Sequence, residues 1–401
     1  MNSSKTDLIE YVLENEVKFV KLTFCDFLGR QRNISVLSSQ LEDAFENGVA
    51  IDSGAITGVG GKDLRIVPVG SLLSVLPWRP HAGRVVSVFC RIVNADGTPY
   101  GCDPMALLHR EVDKFSALGY QAKVATECEF YVFKDDVGSM LVPFDNADYC
   151  ACSPFDKCEN LRRDVIVSLE DMGLKPISSH HERGWGQNEV DFESADPLSA
   201  ARNFIMFKNA VKNVCAINGT HASFMPRPVG SQPGSGLHLT ITLSGKNSDT
   251  ASKSFAEGVL RRLREITCFA NPTQNSYRRL RSGFQIAYSA DRGSAMRIFS
   301  NNDVMLRTPD STGNIFTVLA LVFAAGREGI ENNYKLRKEG EFTDCLFNSI
   351  DKSLEFAENS EWLRTHLDGV FDDVLGSIKR RAVAEQALKT DWELFEFHSD
   401  I

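Results

Sequence analysis

The most informative stretch of this chain is residues 180–189, which read His180-His181-Glu182-Arg183-Gly184-Trp185-Gly186-Gln187-Asn188-Glu189. Imidazoles and carboxylates occur here together with glycines, which permit a close approach to the backbone. Hard divalent cations such as Mg²⁺ and Mn²⁺ prefer oxygen ligands, and a phosphate often completes their coordination. The stretch is therefore a candidate metal site, although this motif is weak by itself.

Another pair of carboxylates lies upstream, in the alternating stretch 123–133. In a strand, Glu127 and Glu129 point to one face with Tyr131, opposite the more apolar side chains of the stretch. Burial of two like charges is costly unless a cation lies between them. For these glutamates alone we favour the solvent-exposed face of an edge strand. Together with residues 180–189, they indicate metal ligands contributed by separate strands.

Glycines and arginines downstream are candidates for anion binding. The turn 234–236, followed by Leu237 and His238, can supply backbone donors, and a plain hairpin loop is an equally good interpretation. Arginine donors form a planar fork that suits carboxylates and phosphates, whereas the usual place of an arginine is the solvated surface. The arginines concerned are Arg278, Arg279, Arg292, Arg297 and Arg307.

Composition sets the broad class of the protein. The 401 residues include 53 acidic and 44 basic side chains, a formal net charge of −9, with 43% hydrophobic and 24% charged residues. These values are typical of a soluble globular protein of two or three domains, or of one large domain with an appendage. The acidic balance argues against nucleic acid as a partner. It does not exclude a small anionic substrate, since local arginines can outweigh the global sign.

The sequence also bears on location. Residues 1–16 are polar and acidic, unlike a signal peptide, and the longest apolar run, 315–325, is too short to span a bilayer. Ten cysteines are too sparse for a disulfide scaffold. Cys150, Cys152 and Cys158 could form part of a zinc site, but no further ligand follows at zinc spacing, so we favour reduced structural thiols. We predict a cytoplasmic protein that does not bind a membrane.

Periodicity indicates a small α+β domain, residues 1–101, followed by a larger domain, residues 102–401. The predicted strands are 19–24, 33–37, 72–76, 85–93, 123–133, 189–192 and 237–243. The predicted helices are 7–15, 104–118, 161–172, 316–325, 353–359 and 378–394. Neither an internal repeat nor a low-complexity stretch interrupts this order.

These motifs, in this order, resemble those of the glutamine synthetase family over essentially the whole chain. Residues 51–58 are similar to the FDGSSI-type loop of the family, and residues 180–189 closely match its HHE…GQNE signature. The other matching segments are 20–29, 62–64, 126–130, 234–238, 275–280 and 391–393. The resemblance implies an α+β fold, with a small N-terminal β-grasp domain and a larger C-terminal catalytic domain built on a curved antiparallel sheet with helices.

The resemblance also implies an activity. Family members join the γ-carboxylate of glutamate to ammonia or an amine with cleavage of ATP, through γ-glutamyl phosphate. The expected cofactors are ATP and Mg²⁺ (or Mn²⁺), and the family's sites form between subunits of a homo-oligomeric ring. The metal that organises glutamate would be bound by Glu129, Glu182 and Glu189. The metal that faces the ATP phosphates would be bound by Glu127 and His238.

Substrate-binding roles carry over in the same way. Arg279 would bind the α-carboxylate of glutamate, with Gly234 against the substrate, and Arg307 would contact the substrate as well as the phosphoryl group. Asp52, and Asp63 as a further candidate, would reach into a neighbouring subunit's site and accept a proton from the incoming ammonium. The groups that would neutralise the transferred phosphoryl group are His180, Arg292, Arg297 and Arg307.

The sequence departs from the family pattern mainly on the ATP side. Met305 stands where the third ligand of the ATP-side metal is expected, and a thioether is a poor ligand for Mg²⁺. Asp303 replaces a basic residue, Thr240 replaces a histidine that supports the nucleotide, and the segment 297–307 is shorter than in typical members. These changes predict weaker stabilisation of the phosphates.

Other departures lie near the substrates. Gln285 replaces the glutamate of the flap that closes over ammonia, in the run 282–287, and this loss of charge is compatible with a different amine acceptor. Pro233 replaces an asparagine before the Gly-Ser-Gly turn. No counterpart of the tyrosine that some bacterial members present for regulatory adenylylation occurs near residues 344–346.

The motifs leave three hypotheses. The first, which we adopt, is a ligase that joins glutamate to ammonia or an organic amine. The second is a catalytically impaired homologue with a binding or regulatory role, supported by Met305 and Thr240. The third is a ligase for a different acid, against which the retained Arg279 argues.

Overall fold

Two β-sheets with flanking helices make up the chain, which confirms the predicted α+β class. The structure is a computed structural model and describes residues 5–78, 83–134, 141–280, 283–299, 303–342 and 344–398. A large cluster of buried apolar side chains extends from Leu8 to Ala382 and includes residues of both sheets. The sheets are therefore packed into a shared core.

The N-terminal sheet has five strands in the order β2-β1-β5-β4-β3, in which β1 and β5 are parallel and the other pairs antiparallel. The strands are β1 (Phe19–Cys25), β2 (Gln31–Leu37), β3 (Val49–Asp52), β4 (Asp63–Val75) and β5 (Val85–Asn94). The helices of this part are α1 (Lys5–Glu14), α2 (Leu41–Asn47) and α3 (Gly54–Thr57), with a 3₁₀ turn at Ser38–Gln40. Alternate side chains of β1, such as Val20 and Leu22, are buried, as the sequence period predicts.

The second sheet carries the predicted metal ligands. Its strands are β6 (Tyr120–Lys134), β7 (Pro176–His181), β8 (Gln187–Phe192), β9 (Thr220–Ser223), β10 (Leu237–Gly245), β11 (Gln285–Tyr288), β12 (Ser294–Ile298) and β13 (Val304–Leu306). Their order is β11-β12-β13-β10-β6-β8-β7, with β9 paired to β6. Because β6 lies between β10 and β8, the edge-strand interpretation of Glu127 and Glu129 is wrong. The two glutamates lie on one face of a central strand.

Ten helices complete the second part of the described chain. They are α4 (Pro104–Ser116), α5 (Glu159–Asp171), α6 (Pro197–Ile217), α7 (Ser248–Ala270), α8 (Gln274–Leu280), α9 (Ile315–Glu331), α10 (Ile350–Glu358), α11 (Glu361–His366), α12 (Phe371–Gln386) and α13 (Asp391–His398). Asp103 and Asp196 cap α4 and α6 by accepting backbone N–H bonds. Within the residues that the structure describes, no helix is long and apolar enough to cross a membrane.

The single helix predicted at 378–394 is wrong, because α12 ends at Gln386 and α13 begins at Asp391. The second start is a capping box. The backbone N–H of Glu393 donates to Thr390 Oγ1 at 3.1 Å, and the N–H of Thr390 donates to Glu393 Oε2 at 2.8 Å. The Thr-x-x-Glu spacing was the signal for this break, and the apolar periodicity across it was misleading.

The three clustered cysteines do not share one environment. Cys150 and Cys152 are exposed, whereas Cys158 is buried, and all ten cysteines of the chain are free thiols. The groups of metal-ligand atoms that lie close together in the described ranges contain no cysteine. The zinc interpretation therefore has no geometric support.

Candidate active site

Neighbouring strands align the predicted metal ligands in a row across the second sheet. Glu129 on β6 is paired with Glu189 on β8, and Glu189 is paired in turn with His180 on β7. Glu182, just after β7, adds a carboxylate at the end of the row. The ligand atoms of His180, Glu182 and Glu189 lie within 4.8 Å of one another. We call these four residues the carboxylate half of the site.

Electrostatics in the carboxylate half favour a bound cation. Burial, and then the charges of Asp191 and Glu129, raise the pKa of Glu189 to about 10. Burial also raises the pKa of Glu129, against a lowering effect of His238. Glu189 is buried and Glu129 half-buried, so carboxylates that repel one another in this way require neutralisation, and carboxylate oxygens are the ligands that Mg²⁺ and Mn²⁺ prefer. The residues present therefore fit a hard divalent cation.

Glu129 is oriented by a residue that the sequence reasoning did not single out. Gln187 donates from Nε2 to Glu129 Oε2 at 3.0 Å, and the backbone N–H of Gly236 donates to the same oxygen at 3.1 Å. Gln187 is itself buried and also donates to Ser235 Oγ at 3.2 Å. The position of Gln187 within the GQNE signature was the sequence feature that could have identified it as a site residue. The glutamine thereby ties the signature to the Gly-Ser-Gly turn.

A buried polar network supports the carboxylate half from the other face of the sheet. His181 is fully buried, and its Nε2 lies 2.9 Å from Asp145 Oδ1, while its Nδ1 lies 2.6 Å from the carbonyl oxygen of Glu182. Arg162 pairs with Asp156 at 2.5 Å. Asp145, Asp156 and His181 also form a compact group of possible metal ligands, but these hydrogen bonds already occupy them. The residues of this network are spread out along the sequence, so no local motif predicted their contacts.

The other half of the site begins at the next pair of strands. Glu127 on β6 is paired with His238 on β10, with Glu127 Oε2 and His238 Nδ1 3.5 Å apart. Two residues further along β10, Thr240 lies opposite Met305 on β13, which is also paired with Arg297 on β12. The Met305 thioether therefore lies on the same face as the Glu127 and His238 side chains, and it is buried.

Three arginines predicted to bind phosphate converge beside Glu127. Burial lowers the pKa of Arg307, and the charges of Arg297 and Arg292 lower it further, while Glu127 opposes this effect. Arg307 is held by a 2.6 Å hydrogen bond from Nη1 to the carbonyl oxygen of Asp291. Arg307 is buried, whereas Arg292 and Arg297 are exposed, and guanidinium groups that repel one another in this way form a suitable site for a polyanion. With Glu127, His238, Thr240 and Met305, these arginines form what we call the arginine half.

Arg279 lies half-buried next to the Gly-Ser-Gly turn. Its Nη2 donates to the carbonyl oxygen of Pro309 at 2.8 Å and also to that of Thr308. A Cβ at Gly234 would lie 2.6 Å from Arg279 Cγ, so the turn requires glycine there. Burial lowers the pKa of Arg279, and Asp310 and Glu129 counteract this. The guanidinium thus lies close to the carboxylate half.

The predicted proton acceptors lie on the N-terminal sheet. Asp52 on β3 is paired with Asp63 on β4, and both side chains are exposed. Asp52 accepts backbone N–H bonds from Gly54 at 2.8 Å and Gly61 at 3.1 Å, and these bonds lower its pKa. A Cβ at Gly60 would lie 2.8 Å from Asp52 Oδ1. None of the described hydrogen bonds or ion pairs joins these aspartates to the two halves of the site.

The remaining departures from the family pattern are also located. Gln285 is half-buried at the start of β11, and its backbone N–H donates to the carbonyl oxygen of Gly293 at 2.9 Å. The carbonyl oxygen of Pro233 accepts a 2.7 Å hydrogen bond from Tyr131 Oη. Asp303 closes the short connection between β12 and β13, where its carbonyl oxygen accepts the N–H of Phe299 at 3.0 Å. Residues 300–302 of this connection and Ser282 of the flap run lie outside the described residues.

Comparison with protein families gives two matches that together cover most of the chain. Residues 16–95 match the model of the glutamine synthetase β-grasp domain, and residues 101–393 match that of the glutamine synthetase catalytic domain. Both domains expected from the sequence motifs are thus matched in the expected order.

Similar proteins point the same way. A glutamine synthetase of Clostridium saccharobutylicum is 33% identical over an alignment of 435 positions that covers 98% of each chain. One of Methanosarcina mazei is 34% identical and covers 94% of this chain and 89% of its own. An alignment of 435 positions over a chain of 401 residues requires gaps in this chain.

Solved structures share the fold. One described as apo GmaS without ligand superposes with a TM-score of 0.88 at 23% identity and covers 97% of this chain and 98% of its own. Another, described as a novel glutamine synthase homolog, has a TM-score of 0.83 at 22% identity, with 96% and 98% covered. At this level of identity, the likeness concerns the fold alone.

Proposed function

The chain belongs to the glutamine synthetase family of ligases, and on this premise we propose that it joins the γ-carboxylate of glutamate to ammonia or an organic amine with cleavage of ATP. The observation that carries the proposal is the carboxylate half. The ligand atoms of three of its residues, His180, Glu182 and Glu189, lie within 4.8 Å of one another, and the half-buried Arg279 lies close to the fourth residue, Glu129. That arrangement suits a divalent cation and a dicarboxylate substrate.

The proposed chemistry has two steps. An oxygen of the γ-carboxylate attacks the γ-phosphorus of ATP and ADP leaves, which gives γ-glutamyl phosphate. The amine nitrogen then attacks the acyl carbon and inorganic phosphate leaves, which gives the amide. Metal ions, when bound, neutralise the carboxylate and phosphate charges. Glu129, Glu182 and Glu189 would hold the ion on the glutamate side, and Glu127 and His238 the ion on the ATP side.

In the proposal, different cationic side chains bind glutamate and the phosphoryl group of ATP. Arg279 binds the α-carboxylate of glutamate, with Gly234 leaving room for the substrate beside it. Arg292, Arg297 and Arg307, with His180, neutralise the phosphoryl group during transfer, because preorganised cations stabilise charge that develops there. The roles follow from the family, and the clustering of the three arginines in the arginine half supports them.

The acceptor and the assembly are also part of the proposal. Gln285 leaves the flap without the charge expected for ammonium capture, which supports an organic amine as the acceptor. Asp52, with Asp63 as a further candidate, would remove the amine proton in the site of a neighbouring subunit of a ring, since its carboxylate is exposed on the N-terminal sheet. The division of the chain at residues 101 and 102 and the cytoplasmic location stay predictions.

Phosphate release from ATP tests the proposed function. Purified protein is incubated with ATP, Mg²⁺ and glutamate, together with ammonium or one of a panel of primary amines. Glutamate-dependent release with an amine but not with ammonium would identify an organic-amine ligase. Glu129→Ala serves as the control that removes a metal ligand. No turnover with any acceptor, together with no ATP binding, would exclude the ligase.

A catalytically impaired homologue with a binding or regulatory role is the second candidate. It is favoured by one observation: Met305 and Thr240 face each other in the arginine half, where the expected ligand and the expected nucleotide support are missing. The dependence of Tm on ATP and Mg²⁺ separates the two, because a ligand that binds only the native state raises Tm. An impaired homologue that has lost its nucleotide site would show no rise with ATP.

A further inference from the structure

A buried lysine lies in the core next to the site and has no part in the chemistry described above. Lys208 on α6 is 8% exposed, and its Nζ donates a 2.9 Å hydrogen bond to the carbonyl oxygen of Ser311. The ammonium group also lies 5.5 Å from the ring centroids of Phe204 and Phe224. A buried ammonium is costly to desolvate, and burial accordingly lowers the pKa of Lys208 to about 8. Because burial of the ammonium group is costly, we expect its hydrogen bond to Ser311 to have a structural role.

Ser311 lies two residues after Pro309, whose carbonyl oxygen holds Arg279 together with that of Thr308. Arg279 Nη2 donates to the carbonyl oxygens of Thr308 and Pro309, and the backbone N–H of Leu237 donates to the latter oxygen at 3.0 Å. Residues 308–311 therefore connect the lysine to the arginine and to the first residue of β10. Three residues of backbone separate the Ser311 carbonyl from that of Thr308, so the position of one constrains the position of the other.

Arg279 depends on this segment for its orientation. Its side chain is half-buried, and its Nε makes no hydrogen bond within the described part of the chain. Apart from the two carbonyls, its Nη2 reaches only the 3.4 Å contact with Asn271 Oδ1 among the described hydrogen bonds. Its Nη1 points towards Gly236, where an added Cβ would lie 3.4 Å away. The carbonyls of residues 308 and 309 are therefore the main determinants of the orientation of this guanidinium.

We propose that Lys208 is a positioning residue for glutamate binding. Its ammonium fixes the Ser311 carbonyl, and the segment 308–311 then presents the carbonyls that aim Arg279 at the α-carboxylate. This inference rests on the proposed function, because it takes Arg279 as the ligand of that carboxylate. It predicts an effect on glutamate only, since the arginines of the arginine half are held by other contacts, such as that of Arg307 with Asp291.

Lys208→Met tests the inference, because methionine has nearly the same length and lacks the ammonium group. The Kd for glutamate from calorimetry with Mg²⁺ present, and the KM for glutamate, are expected to rise about tenfold, since a buried acceptor loses its donor. The KM for ATP is expected to stay within about twofold, because Lys208 does not touch the arginine half. Lys212→Met makes the same chemical change one helical turn later and is expected to leave all three constants unchanged.

The outcomes are distinct. Unchanged glutamate constants in Lys208→Met would overturn the inference, and so would an equal rise of both KM values, which indicates general loosening. If Lys208→Met fails to fold, Lys208→Gln, which keeps a donor on a shorter side chain, is expected to show the same split between glutamate and ATP with a smaller rise. A wild-type protein that binds no glutamate would overturn the proposed function itself.

Discussion

The carboxylate half and the arginine half share the strand β6 but offer a metal ion different surroundings. In the first, Glu129, Glu189 and Glu182 gather with His180. In the second, Glu127 and His238 stand 3.5 Å apart next to a thioether. The expected metal ligands are therefore retained in one half and partly replaced in the other, although both halves lie on the same sheet. In the carboxylate half, a buried and two half-buried carboxylates repel one another and favour a bound cation, whereas the arginine half contains three arginines instead.

The contrast separates two tasks of the proposed ligase. In the proposal, glutamate is bound by the carboxylate half and Arg279, and all of these groups are present. ATP would be bound by the arginine half, where we expect Met305 and Thr240 to weaken metal and nucleotide binding. We therefore expect the affinity for glutamate, measured with Mg²⁺, to be similar to that of other family members. The affinity for ATP is expected to be lower than theirs.

The largest effect is expected from Glu129→Gln. Loss of this charge removes a ligand from the better-preserved half, and we expect kcat to fall by about 10³-fold or more, as for the loss of a principal electrostatic group. The rise of Tm with Mg²⁺ should disappear as well. Phosphate release and thermal melts measure the two quantities.

The matched variant Glu127→Gln makes the same change on the same strand in the arginine half. We expect kcat to fall by about tenfold to a hundredfold, because in the proposal the ion that Glu127 would help to hold already has few ligands. Equal losses in the two variants would contradict the division into a strong and a weak half.

Met305→Glu should repair the arginine half. A carboxylate in this position lies on the same face as Glu127 and His238, and we expect the Mg²⁺ concentration for half-maximal ATP cleavage to fall by about tenfold. Met305→Gln has a similar size without the charge and serves as the control. If both variants behave alike, the thioether is not what weakens this half.

The carboxylate half should make the metal-free protein sensitive to pH. Because the pKa of Glu189 is raised to about 10 from 4.5, the folded protein keeps a proton that the unfolded chain has lost between these values. Its contribution to stability therefore falls as pH rises through this window. Glu189→Gln is expected to have a flatter dependence of Tm on pH than the wild type in the absence of metal.

Mg²⁺ provides the internal control for this pH dependence. A bound cation favours the ionised carboxylate, so saturating Mg²⁺ should flatten the wild-type curve too. An identical pH dependence of wild type and Glu189→Gln in the absence of metal would mean that Glu189 is already neutralised by the protein.

The smallest effect is expected from Thr240→His. The Thr240 hydroxyl oxygen makes no hydrogen bond among the described residues, so the substitution breaks none. An imidazole here adds one contact for the nucleotide, and the KM for ATP should fall by about threefold to tenfold. Steady-state kinetics with varied ATP measure the change, with the KM for glutamate as the internal control. A lower KM for glutamate instead would place Thr240 in the other half.

Local periodicity was sufficient to predict part of the site. The two-residue spacing of Glu127 and Glu129 placed both on one strand face, and the structure confirms this. It could not predict that β6 is central, because strand order depends on pairings between residues far apart in sequence. The alignment of Glu129, Glu189 and His180 in one row is a consequence of register, and no single strand contains that information.

Contacts over long sequence distances account for what was missed. Gln187 reaches Glu129 across 58 positions, and Lys208 reaches Ser311 across 103. Neither contact produces a local pattern, since each depends on how separate elements pack. By contrast, the break before α13 is encoded locally, because Thr390 and Glu393 have the spacing of a capping box, which predicts the start of a new helix. Local sequence patterns thus predict which face of a strand a side chain lies on and where a helix ends. Which side chains contact one another is decided by the packing of the strands and helices.

The most direct test follows an oxygen atom. Glutamate labelled with ¹⁸O in its γ-carboxylate is incubated with the protein, ATP, Mg²⁺ and the best acceptor amine, and the released phosphate is analysed by mass spectrometry. Attack of the γ-carboxylate on ATP transfers one labelled oxygen to each phosphate, and this is the result we predict. Phosphate without label would show that water cleaves ATP and would contradict a γ-glutamyl phosphate intermediate.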